Sequence, residues 1–452
     1  MARKFIVVLG GGISGYGSAI LAKKEGFEVL LSDAGEIAPR YRERLDEWGV
    51  EYEQGGHSTE RILTASEVIK SPGIPDKAPI VAALREKGVP VISEMEFACR
   101  YMGKAKTICI TGSNGKTTTT SLIYKIMRDS GAKVSLGGNI GESFAYSVAT
   151  EEYDWYVLEL SSFQLDGMFR FKADIAVLMN ITPDHLDRYD YSFEKYAASK
   201  MRITQNQTSR DYFIYSADDE MILRQIEGAE IKAKELPFMV HSAIASGAGD
   251  AYLVEEGEAV ATVGKRTMRI DTSRLQIKGI HNTYNAMAAV LATMAAGVEC
   301  EQIERSLYEF SAIEHRLEPV GEFGGVLYIN DSKATNVNSC WYALESVPKN
   351  TILILGGKDK GNDYTEILPL VKEKVKAIVC MGKDNAKLLD FFDGVVTLSD
   401  THSIEDAVKE CARLAQEGDT VLLSPCCASF DLFKSYEDRG HQFKAIVKSM
   451  NR

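Results

Sequence analysis

Thr111-Gly112-Ser113-Asn114-Gly115-Lys116-Thr117 has the residue types and spacing of a phosphate-binding loop. Its glycines let the backbone wrap a phosphate chain, and N–H groups at a helix N-terminus point at the anion. Lys116 is the residue to reach the β- and γ-phosphates of ATP, and the hydroxyl of Thr117 is placed for Mg²⁺. Gly112, Ser113, Asn114, Gly115 and Thr118 complete the expected ATP cradle. The full pattern has a glycine two positions before Gly112, where this chain has Ile110, so the loop is a shortened variant. A Gly-Lys-Thr turn that binds nothing is the weaker reading, because strand, loop and helix signals fall in register around it.

Two further groups of residues could do chemistry. Gly10, Gly12 and Gly15 follow a short apolar run, and Asp33 comes about twenty residues later. That pattern admits NAD, a plain tight turn, or another pyrophosphate such as that of a UDP group. Glu159 closes the apolar run Trp155–Leu160, where a carboxylate is costly unless it is paired or on a metal. His185 stands close to Asp184 and Asp187 after another apolar run, and Lys200 falls in a helical stretch. Hard oxygen ligands with one histidine suit Mg²⁺ held partly by nucleotide phosphates. From the residues alone, Lys200 reads slightly better as a surface lysine paired with Glu194 or with nothing.

The elements that must position these residues are short β-rich runs alternating with helical stretches, the pattern of parallel α/β sheets. Three strand-loop-helix units stand out, beginning at Lys4, Thr107 and about Gly325. In each, polar residues follow the carboxyl ends of strands, where open α/β sheets bind ligands. A chain of 452 residues is too long for one core. The expected division is therefore 1–98, 99–312 and 313–452: a Rossmann-like N-terminal domain, a central P-loop ATPase-like domain and a Rossmann-like C-terminal domain. The helix before the second boundary is expected over Ile280–Ala296, which is apolar at helical spacing.

A net charge of −12 and no basic cluster argue against a nucleic-acid partner. No apolar run approaches the ~20 residues of a membrane span, and the N-terminus lacks signal-peptide character. The eight cysteines show no CxxC pair, and Cys426 and Cys427 are adjacent. Reduced thiols in a cytoplasmic chain are the expectation.

Together these pieces resemble the Mur ligase family. The resemblance runs from about Lys4 to the C-terminus through TGSNGKTTT at 111–119, GGNIG at 137–141, LELSSFQL at 158–165 and NITPDHLDRY at 180–189. It continues through HNTYNAMAA at 281–289, EHRLE at 314–318, NDSKATN at 330–336 and SPCCASFDLFKSYEDRG at 424–440. The SSFQL, NDSKATN and C-terminal elements are similar to the D-glutamate-adding branch in particular.

The resemblance implies amide-bond formation at the expense of ATP in peptidoglycan precursor synthesis. It implies UDP-N-acetylmuramoyl-L-alanine, D-glutamate and ATP as partners of a monomer, with no nucleic acid and no membrane. The first domain would hold the UDP end through Gly12, Ile13, Ser14, Asp33 and Ser71, with Asn139 and Ser161 near the muramoyl-alanine end. The second would hold ATP and two Mg²⁺ ions, with Thr117, Glu159, His185 and a carbamylated Lys200 at the metals and Lys116, His185 and Lys200 at the chemistry. Asn282, Asn285, Arg316 and Asp331 would approach the nucleotide. Lys333, Thr335, Lys360, Ser429, Phe430 and Tyr436 would face D-glutamate as the third domain closes over the other two. Tyr436 stands where the family often has Phe, and Ala34 and Gly35 replace a Thr-Arg pair seen in some members.

Two rivals have features of their own. An NAD-dependent oxidoreductase built on Gly10–Gly15 and Asp33 leaves the phosphate loop and the third unit without a role. A folylpolyglutamate-type ligase shares a similar loop but has no need of a UDP-binding first domain. A binding or scaffold protein leaves all three polar clusters unexplained.

Overall fold

The structure is a computed structural model, and it describes residues 4–184, 186–240, 251–255, 257–311, 314–359 and 361–450. Buried apolar runs form the inner parallel strands, such as Phe5–Leu9, Ile175–Leu178 and Thr351–Gly356, as expected where helices cover both faces of a sheet. The first sheet is parallel throughout, in the order Glu51–Gln54, Glu28–Asp33, Phe5–Leu9, Glu67–Lys70, Val91–Ile92. The sequence direction reverses beside the strand Phe5–Leu9, so a crevice opens at its carboxyl end.

The central sheet has nine strands. Lys106–Thr111 lies between Trp155–Glu159 and Ile175–Leu178, with Val134–Gly138 at one edge. Beyond Ile175–Leu178 come Tyr212–Ser216 and Lys234–Met239, and then Ala251–Glu255, Glu258–Val263 and Arg266–Asp271. The last three pair antiparallel, an addition that the purely parallel expectation did not contain. In Arg266–Asp271 burial alternates, so one face is wet and no continuous apolar run marks the strand. The helix expected over Ile280–Ala296 has those bounds.

The third sheet runs Glu318–Phe323, Val326–Asn330, Thr420–Cys426, Thr351–Gly356, Val375–Met381, Thr397–Thr401. Its first pair is antiparallel, so the unit begins before Gly325, with a strand that Pro319 and Gly321 disguise. By compactness the chain divides in two: Met1–Leu275 with Asn282–Phe310, and Gln276–His281 with Ser311–Arg452. The first two sheets belong to one unit.

Two buried carboxylates join those two sheets, both from the short helix Glu94–Ala98. One oxygen of Glu96 accepts N–H groups from Phe169, Arg170 and Phe171 at 2.9, 2.9 and 3.0 Å. Glu94 accepts from the hydroxyl of Ser143 at 2.5 Å and from Ala145 N–H at 3.0 Å, at the start of the helix Phe144–Thr150. The helix Ile13–Lys24 packs on the same corner, where a Cβ on Gly17 would lie 1.9 Å from the Ser143 hydroxyl. Only glycine permits that approach.

Burial pushes the Glu94 carboxyl up to about 7. An unfolded glutamate titrates near 4.3. Between those values the folded chain keeps a proton that the unfolded chain has lost, so this group's contribution makes stability fall as pH rises through the window. Glu94→Gln carries no charge to bury. The melting temperature of the variant relative to the parent is expected to rise between about pH 5 and about pH 8. An unchanged difference at the two pH values would refute the assignment.

Candidate active site

Strand register brings the first candidates together. Ile110 lies opposite Glu159 on one side, and Thr111 lies opposite Leu178 on the other. The carboxyl ends of three adjacent strands therefore carry the phosphate loop, Glu159 and the segment beginning at Asn180. The loop turns through Gly112 at φ +146°, where a Cβ would stand 2.9 Å from Met179 Cβ. It then enters the helix Lys116–Asp129.

Asn180 holds the loop in shape. Its Oδ1 accepts the N–H groups of Ser113 and Asn114 at 3.1 and 2.8 Å, and its Nδ2 donates to Asn114 O at 3.1 Å. The Ser113 hydroxyl donates to Thr182 O at 2.8 Å and lies 3.0 Å from the hydroxyl of Tyr196. On the helix side, Asn285 Oδ1 accepts from the Thr119 hydroxyl at 3.2 Å, and its Nδ2 donates to Asn282 Oδ1 at 2.9 Å. Asn282 and Asn285 thus stand beside the start of the phosphate-loop helix. Thr117 and Thr118 are both buried in its first turn.

Two amines converge on one carbonyl. Lys116 Nζ donates to Gly112 O and Ser113 O, each at 2.8 Å, and Lys200 Nζ donates to the same Gly112 O at 2.7 Å. Lys200 is 2% exposed, and its Nζ lies 4.7 Å from the centre of the Tyr196 ring. The surface-lysine reading is therefore corrected. Helix Phe193–Met201 turns Lys200 into the core, while Glu194 accepts from the Ser192 hydroxyl at the exposed end. Burial first, and Lys116 second, hold the Lys200 amine well below the ordinary lysine range, against the pull of Asp184, Glu159 and Asp166.

Glu159 is 1% exposed. Its Oε1 accepts from Asn139 Nδ2 at 2.8 Å, and its Oε2 is buried without a hydrogen-bond partner. An orphaned carboxylate oxygen at a strand end beside a phosphate loop fits a divalent cation. His185 lies outside the described residues.

In the first sheet, Gly12 caps the helix Ile13–Lys24 at the carboxyl end of Phe5–Leu9, with Ser14 buried and Ile13 exposed. Asp33 accepts Gly11 N–H at 2.5 Å and Gly35 N–H at 2.7 Å. It shapes the crevice from within. The Ser71 hydroxyl is 3.5 Å from Gly10 O, which closes the other side. Ser161 caps the helix Ser162–Asp166 in a reciprocal pair with Gln164, so its hydroxyl already has work in the fold.

The second compact unit has its own cluster at the carboxyl ends of Val326–Asn330 and Thr420–Cys426. Asp331 accepts from Leu317 N–H at 3.2 Å and from the Ser424 hydroxyl at 2.8 Å. Burial pushes its carboxyl up to about 7, against the pull of Arg316 and Arg439. The Lys333 ammonium lies 5.2 Å from the centre of the Tyr436 ring. Thr335 is half-buried, Ser429 is buried and Phe430 is 69% exposed. Lys360 lies outside the described residues.

Sequence reasoning passed over two residues that hold these clusters. Asn180 stood inside a motif but was given no task. Arg439 is fully buried and donates to the hydroxyl and carbonyl of Ser332 at 2.9 and 2.8 Å and to Cys427 O at 3.3 Å. It ties the Asp331–Thr335 turn to the Ser429 turn. Arg439 too stood inside a motif, but an arginine in the first turns of a helix looks solvated in sequence, so it was given no task. All eight cysteines are free thiols, and among the described residues no helix is long and apolar enough to cross a membrane.

Comparison with known proteins adds a family. Residues 4–93 match the Mur ligase MurD-like N-terminal domain, 110–293 the Mur ligase middle domain, and 315–427 the Mur ligase glutamate ligase domain. The UDP-N-acetylmuramoylalanine–D-glutamate ligase of Bacteroides fragilis is 55% identical over 99% of this chain and 100% of that protein. The proteins of the same name from Christiangramia forsetii and Porphyromonas gingivalis are 51% and 50% identical. Alignment with the former covers 99% of this chain and 100% of the relative, and with the latter 98% of each.

Among solved structures, the pseudomurein peptide ligase type C of Methanothermus fervidus superposes with a TM-score of 0.64 at 19% identity, over 99% of this chain and 100% of that one. The UDP-N-acetylmuramate-alanine ligase of Thermotoga maritima does so at 0.62 and 18%, with the same coverage. These two share the fold. With three domain models in series and half of the residues identical from end to end, the chain belongs to the Mur ligase family.

Proposed function

We propose that this chain is an ATP-dependent amide ligase that adds D-glutamate to UDP-N-acetylmuramoyl-L-alanine in peptidoglycan precursor synthesis. The observation that carries the chemistry is the convergence of Lys116 and Lys200 on Gly112 O beside the orphaned oxygen of Glu159. The choice of substrates follows the relatives of 50–55% identity, which carry that name. We assign residues 1–98 to the UDP end, 99–312 to ATP and 313–452 to the amino acid, in a cytoplasmic monomer.

The reaction joins two anions, a carboxylate and the γ-phosphate of ATP, so its first requirement is positive charge. Lys116 supplies it from the loop, leaving its two carbonyl partners for the β- and γ-phosphates. The N–H groups of Ser113 and Asn114 are held by Asn180, so the loop keeps its curvature without a phosphate to organise it. Thr117, Glu159, His185 and a carbamylated Lys200 would hold Mg²⁺, which offsets charge on the phosphates when bound. A carboxylate oxygen of the muramoyl-alanine attacks the γ-phosphorus, ADP leaves, and an acyl phosphate forms. The amine of D-glutamate attacks the acyl carbon, phosphate leaves, and the amine gives up a proton to complete the amide.

Lys333, Thr335, Lys360 and Ser429 offer two cations and two hydroxyls to an acceptor with two carboxylates. Asn282, Asn285, Arg316 and Asp331 serve the nucleotide, and Phe430 and Tyr436 flank the amino acid. An NAD-dependent oxidoreductase finds less support, since it leaves the phosphate loop and the third sheet without a role. ADP release in the presence of UDP-N-acetylmuramoyl-L-alanine is expected with D-glutamate and not with D-alanine. Equal rates with the two amino acids would overturn the substrate assignment. Loss of all turnover in Lys116→Ala, with its fold intact, checks the loop in the same assay.

Lys200 carries the second expectation. A buried amine held neutral can add CO₂ and become an anion with two ligand oxygens, whereas a guanidinium stays protonated. Lys200→Ala is expected to lose most activity and to recover part of it in short carboxylic acids. Lys200→Arg is expected to stay inactive, and full activity in that variant would exclude the carbamate.

A further inference from the structure

The loop between Val134–Gly138 and Phe144–Thr150 ends in Glu142, a residue given no task above. Its base is closed by a hydrogen bond from Glu142 N–H to Leu136 O at 3.3 Å. At its tip, Asn139 grips Glu159 twice, through the side chain at 2.8 Å and through its own N–H to Glu159 O at 2.8 Å. The Glu142 carboxylate points away from that tip, toward the first sheet. Oε1 accepts from the Tyr16 hydroxyl and from Ser143 N–H at 2.9 Å, and Oε2 pairs with Arg44 at 3.2 Å. Arg44 also donates to the Tyr16 hydroxyl at 2.7 Å and lies over the rings of Tyr16 and Tyr146 at 5.2 and 4.8 Å.

Tyr16 is 1% exposed and stands in the first turn of the helix that the glycine-rich loop feeds. The Arg44–Glu142 pair alone is more than a third exposed on both sides and contributes little. The buried tyrosine hydroxyl is what makes the contact directional, since a hydroxyl bonded to a carboxylate accepts one geometry. A continuous set of bonds thus runs from the helix that opens the UDP crevice, through Glu142 and the loop, to the carboxylate beside the phosphate loop.

We infer that Glu142, held by Tyr16 and Arg44, is a positioning residue that couples occupancy of the glycine-rich crevice to the placement of Glu159. The inference rests on the reading of Glu159 as a Mg²⁺ ligand. It gives the two substrates a shared dependence: a pyrophosphate seated on the helix Ile13–Lys24 steadies Tyr16, the loop, and then Glu159. By linkage, the metal favours the UDP substrate as much as the UDP substrate favours the metal.

Mn²⁺ binding followed by electron paramagnetic resonance, with a non-hydrolysable ATP analogue present, measures this without turnover. Adding UDP-N-acetylmuramoyl-L-alanine is expected to tighten Mn²⁺ binding to the parent about tenfold, in the range of one charge-assisted hydrogen bond. In Glu142→Leu and Tyr16→Phe the tightening is expected to disappear, while Mn²⁺ affinity without the UDP substrate stays near the parental value. Tyr16→Phe removes a single hydroxyl and decides the matter if Glu142→Leu does not fold. Parental tightening in Tyr16→Phe, or no tightening in the parent, overturns the coupling. Glu159→Gln separates the underlying reading: unchanged Mn²⁺ affinity there shows that Glu159 is no ligand, whatever the other variants do.

Discussion

Two lysine amines share the Gly112 carbonyl, and two full positive charges do not sit comfortably there inside protein. Lys116 has a second carbonyl partner and partial exposure. Lys200 has burial and a like-charged neighbour, and its amine is held well below the ordinary range. On the proposed reading, one lysine serves the phosphates and the other, held neutral by burial, is free to add CO₂. That split depends on strand register, which sets Gly112 next to Glu159 and the Asn180 segment, and on the packing that turns Lys200 inward.

Buried carboxyl groups do the joining where the first two sheets meet. Glu94 and Glu96 are 2% exposed, yet each accepts donors of the neighbouring sheet that would otherwise lack partners. Such bonds are directional where apolar packing is not, and a lost acceptor leaves several buried N–H groups stranded. They set the glycine-rich crevice against the helix Phe144–Thr150 that follows the Asn139 loop. In the second unit Arg439 does for two turns what Glu94 and Glu96 do for two sheets.

Sequence reading captured what is local. The phosphate loop, the strand-end position of Glu159 and the helix Ile280–Ala296 all follow from spacing and apolar periodicity within a dozen or so residues. The fold class follows from the same alternation. Partners distant in the chain were not legible. Lys200 reads as a surface residue because its burial depends on Gly112, eighty-eight positions away. Asn180, Glu94, Glu142 and Arg439 are polar residues whose tasks appear only when another element arrives. The strands Arg266–Asp271 and Glu318–Phe323 escaped because half-exposed or proline-containing strands carry no continuous apolar signal.

The central claim is that this cradle activates a carboxylate by phosphorylating it. Oxygen-18 in the alanyl carboxylate of the UDP substrate tests that step directly, because phosphorylation and attack by an amine must carry one of its oxygens into the released phosphate. Turnover with D-glutamate is predicted to yield inorganic phosphate containing one labelled oxygen per amide formed. Phosphate free of label, with the amide still made, would contradict an acyl phosphate and with it the account of the site.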